Sequence, residues 1–207
     1  MSVEDPAIAR FLALTKTAFL NEADRDESKR RQLLRIVGLM SDLTQDKDQA
    51  GLVHEDLPVY RYFGRAIELA NSQYSIGLAD ALRGLQHSLV WAQNPRYNSE
   101  NRGVQFMNNY GYCDLGLTGN PLLSIGLLML GPNTTYPLSR FQSEGGFLII
   151  GGTPEWQAED SSWRSVKPGD VISRSWNGAE GKRTLDNPML ALYAWLYEPT
   201  TTTDELE

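Results

Sequence analysis

The chain has 207 residues, 41% of them apolar, and a formal net charge of −7. That length suits one domain with or without an extension, and the apolar share is enough for a real core. The acid excess argues against nucleic-acid binding, which needs Lys and Arg to neutralise phosphates, and a single cysteine excludes an internal disulfide. No apolar run is long enough for a membrane helix and the N-terminus lacks the apolar stretch of a secretion signal, so a cytoplasmic protein without membrane contact is expected. Cys113, beside Asp114, reads first as a small apolar filler on a strand and second as a nucleophile. Two histidines, His54 and His87, are few for a metal centre.

Taken in chain order, the first half is helical. Ile8, Phe11, Leu12, Leu14, Thr15, Ala18 and Phe19 recur at three- and four-residue spacing, with Asp5 as cap and Pro6 in the first turn. A second helix is predicted over 27–43, on a stripe of Leu33, Leu34, Ile36, Val37 and Met40. Residues 44–51 read as a loop. Further helices are predicted over 58–69 and 75–92, the latter ended by Asn94-Pro95. The polar stretch 94–103 reads as a linker.

After residue 104 the pattern changes to short strands separated by Gly/Pro/Asn turns, predicted at 111–117, 122–130, 147–151, 154–159, 170–174 and 189–197. Close strand spacing points to a sandwich or barrel. The expected organisation is therefore a helical region (1–103), a β-barrel (104–198) and a disordered tail (199–207). The last two residues, Leu206 and Glu207, carry no functional weight.

Four segments have a familiar order and spacing. They are Leu130-Gly131-Pro132-Asn133-Thr134-Thr135-Tyr136-Pro137, Gly151-Gly152-Thr153-Pro154-Glu155-Trp156, Trp163 to Asp170, and Arg183-Thr184 followed by Pro188 to Trp195. Together they resemble the cupin-type dimethylsulfoniopropionate lyases over residues 104–198. The resemblance implies an α+β fold: an N-terminal helical layer followed by a cupin double-stranded β-helix, a jelly-roll relative. It also implies a carbon–sulfur lyase reaction (the dimethylpropiothetin dethiomethylase type) on a small carboxylate with an onium group. In that family two His and a Glu after the Tyr-Pro pair, and a later His, hold a divalent metal, with tyrosines assisting proton removal.

Carried over residue by residue, the ligand positions fall at Ser139, Phe141, Gly145 and near Glu180. No His survives, so no metal and no other cofactor is expected. Two readings stay open. In one, a fixed charge replaces the ion, and Arg140, Lys182 and Arg183 bind a carboxylate by charge-assisted hydrogen bonds. In the other, the barrel is an inactive module for a small acid or a protein partner, or hosts isomerase or cyclase chemistry. A homodimer is left open.

The candidate catalytic groups are Tyr136, Glu144 and Glu180. Tyr136 would be a base if Arg140 or Lys182 lowers its pKa, and is otherwise a packed tyrosine. Glu180 reads first as a turn residue within Asn177-Gly178-Ala179-Glu180-Gly181. Arg140 either enters the barrel or points to solvent. Tyr193 and Trp195 alternate with Leu192 and Ala194, so they share one face, turned either to the barrel interior or to the helical layer. They are candidates for contacting an onium substrate by cation–π attraction.

Overall fold

The computed structural model describes residues 5–45, 57–87, 89–115, 117–159 and 161–198. The predicted tail, His54 and most of the predicted loop at 44–51 lie outside them. Helix α1 spans Pro6–Arg25, with the Asp5 side chain accepting from the Ala7 amide at 2.7 Å. Such an N-cap satisfies an amide that has no partner inside the helix. Helix α2 (Glu27–Leu39) begins after a similar Asp26 cap and ends in a 3-10 turn at Met40–Asp42. The short strand β1 (Thr44–Gln45) follows.

A 3-10 turn at Pro58–Tyr62 leads into α3 (Phe63–Glu68), and α4 spans Gln73–Leu85 behind a Ser72–Ser75 capping box. The helix predicted to run to residue 92 therefore stops at Leu85. Val90–Ala92 forms strand β2 instead. Val90 and Trp91 favour strands, and an edge position on a sheet was open to them. The stretch read as a linker contains a one-turn helix, α5 (Ser99–Arg102), followed by α6 (Val104–Asn109).

The remaining strands are β3 (Tyr110–Asp114), β4 (Leu117–Thr118), β5 (Leu123–Leu130), β6 (Thr135–Arg140), β7 (Glu144–Gly151), β8 (Glu155–Ala158), β9 (Arg164–Ser165), β10 (Val171–Arg174), β11 (Ala179–Arg183) and β12 (Met189–Leu196). They form a six-stranded sheet in the order β10-β7-β12-β5-β3-β2 and a four-stranded sheet in the order β6-β11-β8-β9, all pairs antiparallel. A small β1–β4 pair stands apart. Strands β6 and β11 were not expected from the sequence, and the Asn177-Gly178 turn ends at Gly178, which puts Glu180 on a strand.

The six-stranded sheet divides the apolar residues by parity. Along β12, Leu190, Leu192, Ala194 and Leu196 join the core formed with the helices, while Met189, Ala191, Tyr193 and Trp195 face the four-stranded sheet. Strand β7 repeats this: Leu148 and Ile150 face the helices, Phe147 and Ile149 the interior. Period-two alternation thus builds two cores on one sheet. The side left open for Tyr193 and Trp195 resolves to the barrel interior. Opposite Tyr193 in the ladder stands Gly126, where a Cβ would overlap the Tyr193 hydroxyl.

Candidate active site

Between the two sheets lies a cavity of about 370 Å³. Its walls come from β3 (Tyr110, Tyr112), β6 (Tyr136), β7 (Phe147), β11 (Glu180, Lys182) and β12 (Tyr193, Trp195), with Asp114 and Asn94-Pro95 also lining it. Eight of its lining residues are aromatic, and low-dielectric surroundings of that kind strengthen electrostatic contacts.

Three charges meet at one end: Glu180 and Lys182 line the cavity, and Arg174 is packed against the lining residues Glu180, Phe141 and Trp195. Arg174 Nη1 and Lys182 Nζ each donate to Oε1 of Glu180 at 3.0 Å, and all three side chains are at most 3% exposed. Arg174 Nη2 also donates to Ser143 Oγ at 2.6 Å. The guanidinium lies 4.5 Å from the Phe141 ring centre and 4.0 Å from that of Trp195. Its Nε is buried without a hydrogen-bond partner. The Lys182 ammonium is surrounded by the Tyr136, Phe147 and Trp156 rings at 4.4 to 4.8 Å. This cage follows from register: Lys182 sits directly between Tyr136 on β6 and Trp156 on β8, with Phe147 facing it from the other sheet. Burial lowers the pKa of both cations, and Glu180 opposes that shift.

A register shift explains which neighbours enter. Lys182 pairs with Tyr136 and Glu180 with Ser139, so two steps on β11 match three on β6. The extra residue on β6 exchanges its faces. Tyr136 and Ser139 turn inward, and Arg140 turns out, 60% exposed, paired with Glu159 and donating to the Asn177 carbonyl at 3.0 Å. The expected anchor Arg140 therefore does not line the cavity. Arg183 does not either: adjacent to the inward Lys182, it faces outward, bonded to Glu155 and stacked on Trp163. Glu144 also lies outside, in an ion pair with Arg35 at 2.8 Å.

Tyr136 lies inside but is not set up as a base. Burial raises its pKa first of all, and the Tyr97 hydroxyl at 2.6 Å raises it further. Lys182 sits over the ring face, and Arg140 is elsewhere. The shift favours the protonated phenol, which shares a hydrogen bond with the Tyr97 hydroxyl.

Arg174 is the site residue that sequence reasoning missed. It contacts Glu180 and Phe141 and stands across the ladder from Gly145, three of the four positions at which the resemblance places metal ligands. The one readable signal was its parity with Ile172 on β10, which puts both in the interior.

These donors do not fit a divalent cation. Ser139 Oγ is 3.0 Å from the Pro137 carbonyl, Phe141 and Gly145 offer no side-chain ligand, and Glu180 already accepts from two cations. Among the described residues no three His, Cys, Asp or Glu side chains gather as a ligand set. A dication at Glu180 would meet the repulsion of two nearby positive charges.

Residues 28–191 match the dimethylsulfoniopropionate (DMSP) lyase family. The chain belongs to that family. Over 104 residues it is 28% identical to the dimethylsulfoniopropionate lyase DddQ of Ruegeria pomeroyi, a match covering 48% of this chain and about half, 51%, of that relative. The crystal structure of DddQ from Ruegeria pomeroyi DSS-3 superposes with a TM-score of 0.66 at 20% identity, covering 92% of this chain and 99% of that one. A chain from the crystal structures of the DMSP lyases RdDddP and RnDddQII gives a TM-score of 0.68 at 21% identity, covering 89% and 93%. These superpositions support the expected cupin barrel behind a helical layer. No helix among the described residues is long and apolar enough to cross a membrane.

Proposed function

We propose that this family member eliminates a neutral leaving group from a small onium carboxylate, with DMSP as the nominal substrate, and that a fixed pair of cations does the work of a bound metal. The observation that carries this reading is the Arg174 guanidinium, which touches or faces three of the four inferred ligand positions. Together with Lys182 it gives two cations against one carboxylate, Glu180. The surplus charge suits a substrate carboxylate.

The chemistry follows from that placement. A proton α to a carboxylate is weakly acidic, so charge developing on the carboxylate must be stabilised as the proton leaves. Lys182 and Arg174 supply that stabilisation. Glu180 takes the proton, the freed pair forms the Cα–Cβ double bond, and the C–S bond breaks with its pair moving to sulfur. Dimethyl sulfide and acrylate result, and Glu180 carries the proton. Because the Tyr136–Phe147–Trp156 cage is filled by Lys182, the substrate's onium group lies against Tyr110, Tyr112 and Tyr193, with Asp114 near them.

A second reading has one observation in its favour. Arg174 and Lys182 both donate to one oxygen of Glu180, so the carboxylate is already engaged, which suits a module that binds small acids without turning them over. The experiment is to dialyse the protein against a chelator, add DMSP and measure dimethyl sulfide in the headspace. Turnover unchanged by chelation, and lowered by at least about a hundredfold in Glu180→Gln, is expected. Activity lost on chelation and restored by zinc, iron or manganese would overturn the fixed-cation reading. Saturable acrylate binding without any sulfide release would favour the binding module.

A further inference from the structure

A second polar cavity, about 280 Å³, lies on the outside of the barrel between α2 and the edge strand β10. Ser28, Arg31, Gln32 and Arg35 project into it from α2 at i, i+3, i+4 and i+7, so they form one face of the helix. A helix packed on a sheet ordinarily turns apolar residues to it. Here the facing positions are Ser173 on β10, which strand alternation turns outward beside the inward Arg174, and Ser175 just past the strand's end.

The charges do not balance. Arg35 is paired with Glu144 at 2.8 Å, while Arg31 has no ionic partner among the described residues. Two guanidinium forks and the hydroxyls of Ser173 and Ser175 thus converge on a space that contains one carboxylate, while the Ser28 hydroxyl donates to Asp26 at 2.6 Å. They offer more donors than the two oxygens of a carboxylate ligand can accept.

We propose that this cavity is a binding site for a tetrahedral oxyanion of the phosphate type, with Arg31 as its principal ligand. Gln32 Nε2 donates to the Arg174 carbonyl at 2.7 Å. The strand that floors the site therefore carries Arg174 into the barrel interior, against the cavity residues Glu180 and Trp195, and an anion bound outside is one backbone away from the cation pair inside. The site itself does not depend on the lyase reading.

The test is calorimetric titration of the full-length protein with inorganic phosphate in the absence of any carboxylate. Saturable binding near one equivalent is expected, weakened at least about tenfold by Arg31→Gln and weakened as salt is raised. Arg30→Gln is the control, since Arg30 pairs with Asp24 and does not line the cavity; it should leave the affinity unchanged. Acetate should bind at least about tenfold more weakly than phosphate. Absence of saturable binding, equal losses in both variants, undiminished binding in Arg31→Gln or equally tight acetate would each overturn the assignment.

Discussion

Glu180 is the residue on which the interior charges depend. It is the shared partner of two cations that are otherwise surrounded by aromatic rings. Removing one member of a buried ionic cluster costs more than the cluster contributes, because the remaining charges lose their compensation. Glu180→Gln should therefore lower stability by about 3–5 kcal/mol, read from urea unfolding. A loss under 1 kcal/mol would mean that water reaches the cations. The buried phenols set the response to alkali. Burial raises the pKa of Tyr110, Tyr136 and Tyr193, so their contribution is fully present below about pH 10 and is lost as pH rises beyond it, where the unfolded chain releases those protons first. Lys182, lowered by burial, acts the other way: the unfolded chain keeps its proton longer, so stability from that group rises with pH up to about 10.5. Three phenols outweigh one amine, and the urea midpoint should fall above about pH 10. A midpoint that holds or climbs there would contradict this assignment of burial.

At the scale of elements, three of the strands legible in the sequence are buried on both faces. β5, β7 and β12 read as apolar runs because each covers the helical layer on one side and the barrel interior on the other. β6 and β11 escaped notice for the opposite reason. Their inward residues include Glu180 and Lys182, polar and lining the site, and outward residues such as Leu138 and Arg140 meet solvent. A strand that carries chemistry loses the alternation by which strands are recognised. The register shift on β6 is equally silent in the sequence, yet it decides that Arg140 leaves the barrel. The β5–β12 ladder makes its own prediction. Gly126→Ala would drive a methyl group into the Tyr193 hydroxyl and the Cys113 carbonyl, backbone that cannot yield cheaply. A loss of about 1–3 kcal/mol is expected in urea unfolding; a neutral change would mean that the ring can leave its place.

At the scale of the whole molecule, the two cores share the six-stranded sheet, whose opposite faces belong to the helices and to the cavity. Helix α2 also reaches the sheet edge, Lys29 donating to the Val171 carbonyl at 3.0 Å and Gln32 to that of Arg174. The helical and β regions therefore cannot separate without exposing apolar sheet. All five tryptophans lie between residues 91 and 195, while α1, α2 and α4 supply most of the helix. Urea transitions followed by tryptophan fluorescence and by far-ultraviolet circular dichroism should therefore coincide. Separated midpoints would show that the helical layer unfolds independently of the barrel.

The sequence by itself determined the helical first half and the barrel that follows it, because periodicity and turn residues are local and repeat along the chain; the lyase family entered through the resemblance of four segments and the match over residues 28–191. It also determined that the inferred ligand positions hold Ser139, Phe141 and Gly145, since identity at a position needs no coordinates. Only the tertiary structure decided which charges occupy the interior. Arg174, Glu180 and Lys182 meet there because three strand registers and one bulge bring them together, while Arg140 and Arg183 are turned away by the same geometry. Parity along a strand depends on every residue paired before it, so a single inserted position, invisible in composition and spacing, exchanges the inside of the barrel for the outside.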